Sequence, residues 1–170
     1  MRHIYIAFGA NLSNPKKTFP AAQKALEARG VKIVKTSSLW QSPAWPRGYG
    51  QPDYLNACAQ VNFDGDAQEL LTLLHETEQA FGRVRSVKNA ERTLDLDLLD
   101  FQGQIISQAD DFIIPHPRML SRAFVLLPLS EIAPNWTDPA YKLGILGAHC
   151  KIAFGRYSRF TPGLRFTQGD

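Results

Sequence analysis

The sequence predicts an α+β sandwich in which helices cover one face of an antiparallel sheet. Two observations lead to this prediction. Apolar and polar residues alternate in several short stretches, a period that places one set of side chains on each face of a strand. These stretches and the helical patterns follow the order strand, helix, strand, strand, helix, strand, which is the order of a ferredoxin-like fold. We therefore expect two helices on one sheet face and the active site on the other.

The N-terminal residues predict a strand followed by a helix. Residues 3–9 alternate Ile, Ile and Phe with other side chains and run into a turn that begins at Gly9. Proline is tolerated in the first turn of a helix but breaks it further along. Pro20 therefore places the start of the helix near Thr18, and Gly30 is expected to end it.

Residues 31–63 predict two further strands and a loop. The β-branched run 31–41 favours a strand, and the three prolines of residues 42–52 favour a loop. Residues 53–63 then alternate strictly. This pattern assigns to the core face Leu55, Ala57, Ala59, Val61 and Phe63, and to the polar face Tyr54, Asn56, Cys58, Gln60 and Asn62.

A second helix is predicted between Asp66 and Gly82. Asp66 and Glu69 have the spacing of a capping box, and Gly82 is a C-terminal signal. The expected buried stripe consists of Leu70, Leu74, Thr77 and Phe81. Glu78 falls at the edge of this stripe, where it faces either a cleft or solvent.

The most informative stretch is residues 91–101, Glu-Arg-Thr-Leu-Asp-Leu-Asp-Leu-Leu-Asp-Phe. Alternation predicts a strand with leucines on one face and Asp95 and Asp97 on the other. Two such carboxylates lie roughly 6.6 Å apart along a strand and repel each other unless a cation lies between them. Magnesium accepts one or two protein carboxylates and completes its shell with water and phosphate. The alternative is an ordinary solvated acidic face.

Four basic residues precede this pair. Arg83, Arg85, Lys88 and Arg92 occupy the connection before the strand. Arginines beside magnesium carboxylates are the groups that hold and transfer phosphoryl groups, although such a run is also typical of a solvated loop.

The segment after the acidic strand predicts a turn, short extended pieces and a third helix. Gln102 and Gly103 are expected to make the turn. Arg118 and Arg122 have helical spacing, and Pro128 is expected to stop the helix. His116, held between two prolines, is expected to be a structural residue or a further phosphate donor.

Composition limits the possible functions. The five basic and two acidic residues of 135–170 account for the whole net charge of +3, so residues 1–134 are neutral. We therefore expect no nucleic-acid partner. No signal segment or membrane span is recognisable, and the two cysteines fit no zinc or disulfide spacing. A cytoplasmic, reduced protein without a membrane partner is expected.

In combination and order, five motifs resemble the 6-hydroxymethyl-7,8-dihydropterin pyrophosphokinase family. They span about the first 134 residues and are Phe-Gly-Ala-Asn-Leu (8–12), Gln-Pro-Asp-Tyr-Leu-Asn (51–56), Gly-Arg-Val-Arg (82–85), Arg-Thr-Leu-Asp-Leu-Asp (92–97), and Pro-His-Pro-Arg-Met with Arg-Ala-Phe (115–124). The resemblance implies diphosphate transfer from ATP to a pterin alcohol in folate biosynthesis, with release of AMP.

The resemblance also implies roles for individual residues. Asp95 and Asp97 would hold two magnesium ions, and Arg83 and Arg92 would stabilise the transferred group. The further ATP-binding residues would be Glu78, Arg85, Leu98, His116 and Arg122. The pterin-binding residues would be Ser42, Pro43, Trp45, Tyr54, Asn56, Asp95 and Phe124, with Tyr54 and Phe124 enclosing the ring and Asn56 bonding its edge.

Two segments depart from the family pattern. Residues 89–91 read Asn-Ala-Glu where relatives often have an aromatic or Asn followed by Gly-Pro, so Glu91 places an anion in a loop expected to close over phosphates. Residues 135–170 do not resemble the family ending. We expect a pyrophosphokinase domain at 1–134, a partly irregular or disordered tail at 135–170, and a monomer.

Two other functions remain possible from the sequence. One is another magnesium-dependent nucleotidyl-transfer enzyme on the same type of sheet. The other is an RNA-binding module that stacks bases on the open sheet face, although two aspartates on that face would repel a phosphate backbone.

Overall fold

The computed structural model describes residues 3–12, 14–44, 50, 52–83, 92–108, 112–145, 147 and 158–159. The strands are β1 (Ile4–Ala10), β2 (Lys32–Thr36), β3 (Trp40–Ser42), β4 (Tyr54–Asn62), β5 (Asp95–Phe101), β6 (Ile106–Ser107), β7 (Ile113–Ile114) and β8 (Ser158–Arg159). The helices are α1 (Pro15–Glu27), α2 (Ala67–Ala80) and α3 (Ala123–Ile132), and a 3-10 turn covers Met119–Ser121.

The main sheet has the order β5-β1-β4-β3-β8, with β2 also paired to β4, and its ladders are antiparallel. Strands β6 and β7 form a separate two-stranded ladder. The predicted α+β fold with an antiparallel sheet is confirmed. Strand β1 lies between β5, at one edge of the sheet, and β4, so residues from these three neighbouring strands lie side by side.

Two apolar clusters occupy the two faces of the sheet. The larger cluster contains the leucine face of β5, the predicted core face of β4 and the buried stripes of α1 and α2. The smaller cluster lies on the opposite face, where α3 packs mainly on β4 and also contacts β3. Because α3 covers only part of that face, the end of the sheet that carries Asp95 and Asp97 stays open.

The boundaries of two helices differ from the predictions. Helix α1 begins at Pro15, and Pro20 lies inside it. Likewise, α3 continues through Pro128 to Ile132. Each proline lies in the interior of its helix and removes one backbone N–H donor there, while burial of Leu26 in α1 and Leu129 in α3 stabilises the helices in spite of that loss.

Arg118 and Arg122 do not share a continuous helix, contrary to the prediction. Arg122 is extended at the N-terminal boundary of α3, and the 3-10 turn separates the two residues. The predicted strand 31–41 is also two strands, because the chain leaves the ladder around Ser37 and Ser38, both of which are buried.

Several local predictions are confirmed. Asp66 and Glu69 form the complete capping box of α2, and Gly82 has a positive φ of 81°. Gln102 and Gly103 both have positive φ at the predicted turn.

Apolar packing continues past residue 134, since Trp136 and Ile145 belong to the smaller cluster. None of the described helices is long and apolar enough to cross a membrane.

Candidate active site

A cavity of about 680 Å³ opens on the sheet face beside α3. Its walls contain most of the predicted site residues. They are Ser42, Pro43, Tyr54, Asn56, Arg83, Arg92, Asp95, Asp97, His116, Arg122 and Phe124. The remaining lining residues are Ala7, Phe8, Gly9, Ala44, Arg118 and Val125.

Small residues of β1 form the floor of this cavity. In the β1–β5 ladder, Gly9 is opposite Asp95 and Ala7 is opposite Asp97, and Gly9 is also opposite Asn56 in β4. A Cβ atom at Gly9 would lie 3.6 Å from the Cβ of Asp95 and 3.8 Å from Oδ1 of Asn56. A larger side chain there would therefore fill the space between the carboxylate and the amide.

Asp95 is the centre of an arginine cluster. Its Oδ1 lies 2.5 Å from Nη1 of Arg83, and its Oδ2 accepts a hydrogen bond from Nη1 of Arg92. Arg83 also forms an ion pair with Glu78. These contacts bring two cations from the ends of the connection 83–92 onto one carboxylate.

Glu78 lies beneath this cluster. Its carboxylate is fully buried, and Oε1 accepts hydrogen bonds from the backbone N–H of Leu96 and from Arg83. A buried carboxylate with these donors fixes the position of Arg83 relative to β5. The side chain of Glu78, predicted at the edge of the buried stripe of α2, thus makes buried polar contacts and does not face solvent.

Asp97 lies toward the opposite side of the cavity, near His116 and Arg122. Nη1 of Arg122 is 3.5 Å from Oδ2 of Asp97 and 3.4 Å from Nε2 of His116. Burial, followed by the charge of Asp95, raises the pKa of the Asp97 carboxyl above its ordinary value, although His116, Arg122 and Arg83 oppose the shift.

His116 is a neutral hydrogen-bond donor in this setting. Burial lowers the pKa of its imidazole, and the charge of Arg122 adds to that shift while Asp97 opposes it. Its Nδ1 accepts the backbone N–H of Arg118 at 3.1 Å, which leaves the proton of the neutral ring on Nε2. Nε2 and the guanidinium of Arg122 therefore present two donors suited to a phosphate oxygen.

A second part of the cavity combines aromatic and amide groups. Tyr54 and Asn56 come from β4, and Phe124 comes from the first turn of α3. Nδ2 of Asn56 donates to Oγ of Ser42 at 2.9 Å and to the carbonyl of Trp40 at 3.2 Å. Both amide protons are thereby used, so Oδ1 is the atom that Asn56 offers to a ligand.

Four predicted site residues lie elsewhere or outside the described residues. Leu98 packs in the larger apolar cluster and Glu78 lies beneath the arginine cluster, so neither lines the cavity. Trp45 and Arg85 lie outside the described residues, as do Lys88 and Glu91 of the predicted phosphate loop.

Three residues of the site, Asn11, Gly9 and Arg118, were not predicted from the sequence. Asn11 binds the backbone of Arg92, and Gly9 and Arg118 line the cavity. The motif at residues 8–12 contained the signal for the first two, because Gly followed by a polar amide at a strand end is typical of close backbone approach.

The donor set of the cavity fits magnesium. Across the part of the chain that the structure describes, no group of three or more His, Cys, Asp or Glu residues could hold a metal. Zinc sites generally need three or four such ligands, whereas magnesium takes one or two carboxylates together with water and phosphate. Oδ1 of Asp95 is buried and has no hydrogen bond, despite its ion pair with Arg83, so it retains capacity for a cation.

Known proteins resemble this chain in sequence and in fold. A family model for 7,8-dihydro-6-hydroxymethylpterin-pyrophosphokinase matches residues 5–134. The chain is 46% identical over 118 residues to a 2-amino-4-hydroxy-6-hydroxymethyldihydropteridine pyrophosphokinase of Synechocystis, a match that covers 69% of this chain and 58% of that protein. A protein of the same name from Haemophilus influenzae is 42% identical over 137 residues, which cover 79% of this chain and 84% of the relative.

Solved structures share the fold. The wild-type HPPK-DHPS of Plasmodium falciparum matches with a TM-score of 0.64 and 14% identity, over 89% of this chain and 41% of that one. The chain thus spans less than half of that structure and 58% of the Synechocystis relative.

Proposed function

The chain belongs to the 7,8-dihydro-6-hydroxymethylpterin-pyrophosphokinase family, and from this we propose that it transfers diphosphate from ATP to 6-hydroxymethyl-7,8-dihydropterin. The products are AMP and the pterin diphosphate, an intermediate of folate biosynthesis. The observation that carries the proposal is that one cavity contains the aspartate pair, the arginines and two aromatic side chains, Tyr54 and Phe124, which we call the aromatic slot.

The phosphate end of the cavity lies around Asp95 and Asp97. These carboxylates would hold magnesium, and we propose two ions, which would supply positive charge to the ATP phosphates and polarise the transferred group. Arg83 and Arg92 reach the same carboxylate and supply guanidinium donors. His116 and Arg122 form a second donor pair for the phosphate chain.

The pterin end lies around Asn56. A flat heterocycle is held well between two ring faces, and Tyr54 and Phe124 supply them. Oδ1 of Asn56 would accept a hydrogen bond from a ring N–H or amino group of the pterin. The bonds from Nδ2 of Asn56 to Ser42 and Trp40 fix the orientation of the amide, so this position favours a ligand with a donor on the edge that meets Oδ1. Gly9 is opposite both Asn56 and Asp95, so the hydroxymethyl group would meet the ATP phosphates beside the carboxylates.

The transfer forms a bond between the pterin hydroxymethyl oxygen and the β-phosphorus and breaks the bond from that phosphorus to the oxygen that bridges it to the α-phosphorus. That oxygen leaves with AMP, and the hydroxyl proton passes to solvent. Charge develops on the oxygens of the transferred group. Arg83 and Arg92 are fixed near that position by Asp95 and Glu78. Donors held before the reaction stabilise such charge without reorganisation.

The proposal also covers the domain organisation, the cellular location and the oligomeric state. We propose that residues 1–134 form the catalytic domain, with 135–170 as a C-terminal extension, and that the enzyme is a cytoplasmic monomer. Gel filtration with light scattering tests the oligomeric state.

Product analysis tests the activity. The protein is incubated with ATP and magnesium, with and without hydroxymethyldihydropterin, and nucleotides are separated by chromatography. We expect AMP, in amounts equal to the pterin diphosphate, only when the pterin is present. Release of inorganic diphosphate would instead indicate nucleotidyl transfer at the α-phosphate. Magnesium-independent RNA binding without turnover would favour the RNA-binding function.

A further inference from the structure

A carboxylate outside the cavity connects the two walls of the aromatic slot. One wall is α3, which carries Phe124 at its start, and the other consists of β3 and β4, which carry Ser42, Tyr54 and Asn56. Glu131 lies near the end of α3. Its Oε2 accepts the backbone N–H of Ser38 at 2.8 Å, and its Oε1 accepts the indole N–H of Trp40 at 2.9 Å.

These bonds cross the fold between distant parts of the chain. Ser38 and Trp40 flank the start of β3, and both oxygens of one carboxylate hold them. Bonds from neutral donors to an ionised carboxylate are stronger than neutral pairs, and Glu131 is only partly exposed. The spacing between α3 and β3 is therefore set by Glu131 as well as by apolar packing.

Trp40 connects Glu131 to Asn56, the residue proposed to bond the edge of the pterin. Trp40 is opposite Asn56 in the β3–β4 ladder, and its backbone carbonyl accepts a hydrogen bond from Nδ2 of Asn56 at 3.2 Å. Glu131 thus holds the Trp40 indole, and the Trp40 backbone holds the Asn56 amide. Neither Glu131 nor Trp40 lines the cavity.

We propose that Glu131 is a positioning residue for pterin recognition, acting through Trp40 on the orientation of Asn56 and on the distance between Phe124 and Tyr54. The inference rests on the proposed function for the identity of the ligand. It assigns Glu131 no contact with substrate. Its effect is specific to the pterin end, because Arg83, Arg92 and Asp95 are held by separate contacts.

Two variants and a control test the inference by steady-state kinetics. Glu131→Gln keeps the size of the side chain but leaves only one oxygen that can accept a hydrogen bond. Trp40→Phe removes the indole N–H donor. Each should raise the KM for pterin about tenfold, with kcat and the KM for ATP within about twofold of wild type. The double variant should match the single ones, because both remove the same link. Glu76→Gln, which changes an exposed carboxylate paired with Arg29, should change nothing.

Equal increases in the KM values of both substrates, or additive effects in the double variant, would overturn the inference. A measurement on the free protein separates it from the proposed function. NMR should show faster hydrogen exchange of the Trp40 indole N–H and shifted Asn56 side-chain amide signals in Glu131→Gln, but not in Glu76→Gln. Trp40→Phe should shift the same Asn56 signals.

If wild-type protein releases no pterin-dependent AMP, the proposed function fails, and these signals still decide whether Glu131 orients Asn56. Unchanged Asn56 signals in both variants would contradict the inference, whatever the activity.

Discussion

Asn11 holds the backbone of Arg92 in place. Oδ1 of Asn11 accepts the N–H of Arg92 at 2.8 Å, and the carbonyl of Arg92 accepts the N–H of Asn11 at 3.1 Å. Asn11 is buried, and its Nδ2 also donates to the carbonyl of Pro52 at 3.3 Å. One side chain therefore joins the end of β1 to the backbone just before β4 and just before β5.

Replacement of Asn11 by Ala should lower both stability and turnover. The change leaves the N–H of Arg92 and the carbonyl of Pro52 without these partners, so the free energy of unfolding should fall by about 1–3 kcal/mol. Urea denaturation measures the loss. The kcat should fall because the Arg92 backbone is less fixed. Asn62→Ala, at an exposed position at the end of β4, is the control. Equal effects of both substitutions would show that Asn11 has no special role.

Arg92→Ala should reduce turnover more than ATP affinity. Arg92 contacts Asp95 at the proposed reaction centre, and a donor aimed at developing charge acts mainly in the transition state. We expect kcat to fall on the order of 10² or more, with a smaller change in the dissociation constant of ATP measured by calorimetry. Arg29→Ala, at an exposed ion pair, is the control. A loss confined to ATP binding would indicate a ground-state role.

Phe124→Ala should weaken pterin binding far more than ATP binding. The substitution removes one of the two rings proposed to enclose the pterin. It also removes the ring near which the Arg122 guanidinium lies, 5.5 Å from the centroid, so a small loss of ATP affinity is expected. Phe124→Tyr keeps the ring and should restore most of the pterin affinity. Calorimetry with each ligand decides the question, and equal losses for the two ligands would count against the enclosed ring.

Cys58 should resist thiol reagents in the folded protein. It is fully buried in β4, and burial, with smaller effects from Asp97 and Glu131, raises the pKa of its thiol above its ordinary value. Alkylation requires the thiolate. In a Cys150→Ser variant, alkylation by iodoacetamide at pH 8 should therefore be on the order of 10² slower than in guanidinium. Comparable rates would mean that the β4–α3 contact opens readily.

The two faces of β5 were predictable because alternation is a local property. Leu94, Leu96 and Leu98 pack below the sheet and Asp95 and Asp97 face the cavity, as their period of two requires. The register slips farther along β5, between Tyr5 and Ile6 of the neighbouring strand. Alternation alone carried no signal for that bulge, which depends on the pairing of two distant segments.

The missed features depend on tertiary contacts. The break between β2 and β3 coincides with two hydrogen bonds: Oγ of Ser37 accepts the backbone N–H of Cys58 in β4, and the backbone N–H of Ser38 donates to Glu131 in α3. A β-branched run cannot reveal these partners, which come from distant parts of the chain. Pro128 signals a helix end locally, but burial of Leu129 and Ile132 beyond it keeps α3 helical. Long-range contacts, hydrogen bonds in the first case and burial in the second, outweighed the local signal.

The aspartate pair carries the central claim, and Asp97→Ala tests it most directly. Magnesium-dependent release of AMP is measured in the presence of pterin, and circular dichroism with urea denaturation checks that the fold is retained. Asp53→Ala, which removes a carboxylate paired with Gln41 at an exposed position, is the control. We expect Asp97→Ala to lower turnover on the order of 10³ or more while Asp53→Ala keeps it. Near-normal magnesium-dependent turnover in folded Asp97→Ala would contradict the account.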